Sequence, residues 1–73
     1  RWEIKVLLEL AAYEDFLKNP QFNRERLRAF LPEDMDKRKE SRLLNRWVDW
    51  GFVKYMKHDT YKLRFDEIKE LQS

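Results

Sequence analysis

Seventy-three residues with no cysteine and one histidine make a single domain near the lower size limit for folding without disulfides or a structural metal, so apolar packing must supply the stability. Three Trp, three Tyr and five Phe are enough for a compact core, but the same side chains cannot also line a large substrate cleft, which excludes an enzyme built around a deep pocket. The net charge of +2 hides an uneven distribution: residues 37–65 hold nine Lys and Arg against three acids, while the flanking segments are each acidic by two; an anionic partner would therefore meet the middle of the chain.

No stretch reads as a signal peptide or a membrane span, and the expected setting is intracellular, with no membrane partner. The chain opens on Arg1 rather than Met, as expected of one domain (1–73) excised from a longer protein.

From Trp2 to Leu17 the period is helical, with Ile4, Leu7, Leu8 and Ala11 on one face. A second apolar stripe, Trp2, Val6, Leu10, Tyr13 and Leu17, lies on another side of the same helix. Two readings fit such a helix: it is wrapped from both sides within its own domain, or Trp2, Val6, Tyr13 and Leu17 contact a second copy or a neighbouring domain. Asn19-Pro20 ends it, and Gln21 and Phe22 read as extended, as a very short strand. Asn23 is placed to cap a second helix, RERLRAFL, with Leu27, Phe30 and Leu31 inward and Pro32 at its end. Arg24 and Arg28 sit one turn apart on its outer side, where solvation and phosphate contact are both open to them.

The acidic segment PEDMD leads into a third helix that either Asp34 or Asp36 would cap; with Asp36 as the cap it runs from Lys37 to about Trp50 and is stopped by Gly51, the single glycine. At about 100° per residue, Leu43, Leu44, Trp47 and Val48 gather on one side, and Arg38, Arg42, Asn45, Arg46 and Asp49 on the other. Phe52 to Phe65 reads as a hairpin, with Val53 and Tyr55 alternating against Lys54 and Met56, and Tyr61, Leu63 and Phe65 against Lys62 and Arg64. A three-residue loop, His58-Asp59-Thr60, would pair Lys57 with Tyr61, Tyr55 with Leu63 and Val53 with Phe65, keeping both apolar sets on one side. Asp66 is then the expected cap of a short last helix whose Ile68 and Leu71 close the core. The whole is an α+β domain, mainly helical: three core helices, a small β-hairpin and a short C-terminal helix.

Catalytic chemistry has no foothold here. Ser41 and Ser73 have no nearby histidine, no glycine-rich phosphate loop exists, and Glu33, Asp34 and Asp36 read as turn and cap residues. One histidine without cysteine does not make a metal site, so neither metal nor other cofactor is expected, and no small-molecule ligand. The chain is read as no enzyme itself, though it would serve as an accessory domain of one. Trp47 belongs to the core by its neighbours. Trp50, at the edge of that face, is expected against the hairpin rather than as a stacking platform for a single-stranded base. His58 reads as a solvated turn residue.

The helix FNRERLRAFL, the helix SRLLNRWVDWG and the immediately following FVKYMKHDTYKLRF together resemble the winged helix-turn-helix family, over about Trp2 to Phe65. The connection PEDMD departs from the pattern, being longer and more acidic than the tight turn of simple helix-turn-helix proteins. The resemblance implies a DNA-binding domain of a transcription or replication protein, with double-stranded DNA as its partner and the third helix in the major groove. Carried over by position, Arg38, Arg42, Asn45 and Arg46 would face the groove, and Lys54, Lys57, Lys62 and Arg64 of the hairpin wing would meet phosphate. The chemistry is apt: Arg donates two bonds to guanine, Asn pairs with adenine, and lysine suits phosphate. The competing implication is a winged helix used as a protein-interaction or dimerisation module through its first helix.

Overall fold

The computed structural model describes residues 2–71. In chain order they form α1 (Trp2–Ala12), α2 (Glu14–Lys18), β1 (Gln21–Phe22), α3 (Arg24–Arg28), α4 (Lys37–Asp49), β2 (Val53–Lys57), β3 (Thr60–Leu63) and α5 (Phe65–Glu70). The strands make one antiparallel sheet in the order β1-β3-β2, so the chain is a small α+β domain of helices packed on a three-stranded sheet.

The first helix is not continuous to Leu17. It breaks at Tyr13, whose backbone is extended (φ −73, ψ 132). Nine residues separate Leu7 from Phe16, so an unbroken helix would hold them about 180° apart. Both are fully buried, and only the break allows that. Leu10, assigned above to the second stripe, is buried beside Leu7, whereas Ile4, Leu8 and Ala11 are only half-buried. The core face of α1 is therefore turned from the expected one and includes a charged residue, Glu3, at 3% exposure.

Aromatic side chains link the elements. Ring contacts run from Tyr13 to Phe30 (4.8 Å), Phe16 (5.1 Å), Phe22 (6.0 Å), Tyr61 (5.6 Å) and Tyr55 (5.4 Å between centroids). The path crosses from the α1–α2 break through the turn after α3 and through β1 to the hairpin, and its offset and edge-on geometries are the favoured ones. Arg26 staples the same corner. Its guanidinium donates to the carbonyls of Asn19 (2.8 Å), Gln21 (2.6 Å) and Asp15 (3.1 Å) and lies 4.0 Å above the Phe16 ring. It thus ties the end of α2 and the start of β1 to α3.

The Asn23 cap falls where expected, and of the two candidates for α4 it is Asp36 that caps. The Asn23 side chain accepts from Arg26 N–H (2.8 Å), and the Asp36 side chain accepts from Lys39 N–H (2.7 Å). The helix α3 ends at Arg28, short of Leu31, but Leu27 and Leu31 still enter the core. Past α4, Gly51 adopts φ +85; its N–H donates to Val48 O and that of Phe52 to Trp47 O, each at 3.0 Å. This is the paired-bond helix stop that requires a left-handed residue. Gly51→Ala should destabilise the fold by about 1–2 kcal/mol through backbone strain alone, because an added Cβ meets nothing within 4 Å. Urea denaturation checks this, and a loss under about 0.5 kcal/mol would show that the stop relaxes.

The hairpin register differs from the expected one by two residues. Val53 pairs with Leu63, Lys54 with Lys62 and Tyr55 with Tyr61; Met56 is then an extra, bulged residue before Lys57 pairs with Thr60. The loop holds two residues, not three: His58 (φ 33) and Asp59 (φ 53). Both lie in the left-handed region, as a two-residue hairpin turn matched to strand twist requires, and both residue types tolerate it. Phe65 opens α5 instead of closing the strand, and Arg64, not Asp66, is the N-cap, without a side-chain cap bond. Ile68 is buried, but Leu71 is 40% exposed and does not close the core.

Candidate nucleic-acid interface

The helix α4 docks on the core through Leu43, Leu44 and Trp47, all at most 1% exposed, with Val48 half-buried beside them. That fixes which side chains turn outward. Lys37, Arg38, Ser41, Arg42, Asn45 and Arg46 line one open depression along the opposite side. The four α4 residues expected to face a partner are thus brought together. Lys37 and Ser41 had not been singled out, although they form the i, i+4 row with Asn45 beside the Arg38, Arg42, Arg46 row, and that adjacency is readable from spacing.

Glu40 is not part of this surface. It is 3% exposed and faces α3, where its two oxygens accept from Arg24 Nε (2.5 Å) and Arg28 Nε (2.9 Å). Arg24 also donates to Ser41 Oγ (2.7 Å) and Lys37 O (3.3 Å). The two arginines for which phosphate contact was open are therefore committed to a clamp between α3 and α4. Burial pushes the Glu40 carboxyl upward, but the bonds from Arg28 and Arg24 outweigh it and hold the group below its ordinary range. The same bond to Glu40 raises Arg28. Arg24, Arg28 and Lys37 share a second depression with Glu25, Ser41 and Asp59 of the hairpin turn, where the acids and Glu40 cancel the positive charge. The outward side of α4 keeps its excess.

Within that side the residues differ. Arg38, Arg42 and Asn45 are exposed and make no ion pair or side-chain hydrogen bond among the described residues. Arg46, in contrast, is ion-paired to the buried Glu3 carboxylate, while Glu3 O accepts from Trp47 Nε1 at 3.0 Å. Glu3 was not anticipated as a partner; a carboxylate at i−4 from Leu7 on a core face is the signal that it needs a cation. Asp49 is exposed at the far end of α4, outside the depression.

Of the hairpin residues, Lys54 and Lys62 are exposed, directly opposite each other and on the sheet face away from the buried Val53 and Leu63. Like charges so placed repel, which an anion between them would relieve. Lys57 stands at the turn, exposed. Arg64 is half-engaged with Glu67 at 3.5 Å. Burial first, and the acids Asp59 and Glu40 with it, raise the Tyr61 phenol, so this group acts as a neutral ring in the stack.

The stripe Trp2, Val6, Tyr13 and Leu17 is divided between α1 and α2 by the break at Tyr13. Trp2 is exposed at the start of α1 with the Lys39 ammonium 5.0 Å from its ring centroid; Val6 is half-buried; Tyr13 lies at the break against Phe30; Leu17 is 57% exposed on α2. Trp50 packs edge-on against Phe52 at 6.4 Å. Among the described residues no cluster of His, Cys, Asp or Glu is spaced to hold a metal ion, and no helix is long and apolar enough to cross a membrane. Comparisons with protein-family models, curated proteins and solved structures found no match.

Proposed function

We propose that this chain is a winged-helix DNA-binding domain of a transcription or replication protein, with α4 in the major groove of a duplex and β2–β3 as its wing. The order of elements, α1–α2, β1, α3, α4, then a hairpin whose second strand pairs with β1, is compatible with that family. The observation that carries the reading is the composition of the outward side of α4: Lys37, Arg38, Arg42 and Asn45, whose side chains have no ion pair or hydrogen bond among the described residues, share one depression, while of the helix's two acids Glu40 is turned inward and Asp49 lies outside the depression. Asn45 matches the edge of adenine, and Arg38 and Arg42 suit the phosphates that flank the groove. A helix of 13 residues is about 20 Å long, enough to lie across several base pairs. Lys54, Lys57 and Lys62 supply phosphate contacts from the wing.

Binding of the chain to duplex DNA, measured against salt, tests this. Each phosphate neutralised adds about 0.9 to the slope of log affinity against log salt. Arg38→Gln/Arg42→Gln is expected to lower the slope by about 1.8 and to leave unfolding within about 0.5 kcal/mol of wild type, since neither side chain packs. No binding by wild type at low salt, or an unchanged slope in the double variant, would sink the proposal.

A further inference from the structure

Resting on the DNA reading above, we infer that Arg46 is the residue that discriminates sequence, by selecting guanine, and that Glu3 is its positioning residue. Arg46 differs in kind from Arg38 and Arg42. Its Nη1 donates to Glu3 Oε2, and the Glu3 side chain is 4% exposed whereas that of Arg46 is 46% exposed. One end of the guanidinium is therefore held below the surface while the rest stays at the depression that Arg38, Arg42 and Asn45 also line.

The anchor is itself fixed. The Glu3 main chain takes the indole N–H of Trp47, a fully buried residue next to Arg46 in α4. The first turn of α1 and the third turn of α4 are thus tied by two bonds, one through the backbone of Glu3 and one through its carboxylate. An arginine in such a frame has already given up the rotamer freedom that a loose side chain loses on contact. Guanidinium carries five donors, so the bond to Glu3 leaves enough for the two acceptors, O6 and N7, on the major-groove edge of guanine. Arg38 and Arg42 have no such frame and suit phosphate, whose recognition depends on charge more than direction. Asp49, three residues beyond Arg46, makes no ion pair with it among the described residues and leaves the fork undisturbed.

The test is selection from a pool of duplexes randomised over a central segment, using the full chain, followed by affinities for the selected duplex and for versions with single base pairs exchanged. Wild type should show a guanine preference of roughly 5- to 150-fold at one position. Arg46→Lys keeps a cation beside Glu3 but loses the planar fork, so the preference at that position should disappear while those at other positions and the salt slope persist. Glu3→Gln keeps the backbone bond to Trp47 and should weaken the same preference without creating another. A role confined to tying α1 to α4 would lower thermal stability and leave the selected sequence unaltered. An unchanged preference in Arg46→Lys, or binding by wild type without any sequence preference, overturns the inference while the DNA reading stands. Absence of all binding by wild type overturns both.

Discussion

Trp47→Ala is expected to remove at least about a quarter of the chain's folding stability and, at the upper end, all of it. Trp47 heads the fully buried side chains by volume, at 0% exposure, and packs among Leu43, Leu44 and the rest of one apolar cluster. Truncating a buried Trp costs about 3–5 kcal/mol from lost transfer energy and the cavity left behind. At roughly 0.05–0.15 kcal/mol per residue, a domain of this length holds only about 4–11 kcal/mol in all. Circular dichroism during urea titration should show either no native baseline or a midpoint lowered by at least about a quarter of its wild-type value. Trp47→Phe separates packing from polarity. It retains most of the apolar body but removes the N–H that bonds Glu3 O, at a cost of about 1–3 kcal/mol. A Trp47→Ala protein as stable as wild type would mean that α4 is not held by this face, and the assignment of its outward face would fall with it.

The dependence of one face on the other explains how much could be read in advance. The side of α4 given to the core followed from Leu43, Leu44, Trp47 and Val48 because a 3.6-residue period with a sharp polar contrast has one solution. The caps Asn23 and Asp36 and the stop at Gly51 were legible for a similar reason: each answers a local need of the backbone. The hairpin shows where pattern runs out. Expected and observed registers differ by two, which moves every pair but leaves each side chain on the same sheet face. Alternation of Val53 and Tyr55 with lysines therefore could not distinguish them; the left-handed pair His58-Asp59 and the bulge at Met56 did. The break at Tyr13 was hidden because Trp2 to Leu17 satisfies a helical period on two sides, and only the need to bury Phe16 with Leu7 selects the interruption. The period can place Glu3 on a core face, but which distant cation answers it, or that Glu40 takes Arg24 and Arg28, leaves no periodic trace. These pairings decide which basic residues of the chain remain available to a partner.

Glu40→Gln is expected to lower stability by about 2–3 kcal/mol at neutral pH, with the deficit shrinking in acid. The connection between α3 and α4 is long and acidic, too long to set the angle between the helices by itself. The clamp does so instead: a buried carboxylate on α4 holds two arginines of α3, and Arg24 reaches on to Ser41 and Lys37. Glutamine has the same shape but one acceptor oxygen, so one arginine keeps a neutral partner and the other faces an amide NH2. The cost stays below that of breaking a fully buried pair, because the side chains of Arg24 and Arg28 are 27% and 48% exposed and reach water once released. The pH dependence follows from the sign of the shift. The folded carboxyl lies below its ordinary value of 4.5, so its contribution is complete above that value and is lost as the pH falls through the folded one. Urea midpoints of wild type and Glu40→Gln should therefore differ most near neutrality and converge below pH 4.5. Parallel curves down to strongly acid pH would show that Glu40 does not titrate with folding and that the arginines are held by something else. In duplex-binding measurements the same variant should lose affinity while keeping its salt slope. Glu40 touches no phosphate in the proposed complex, and its removal only loosens the frame that presents Arg38, Arg42 and Asn45.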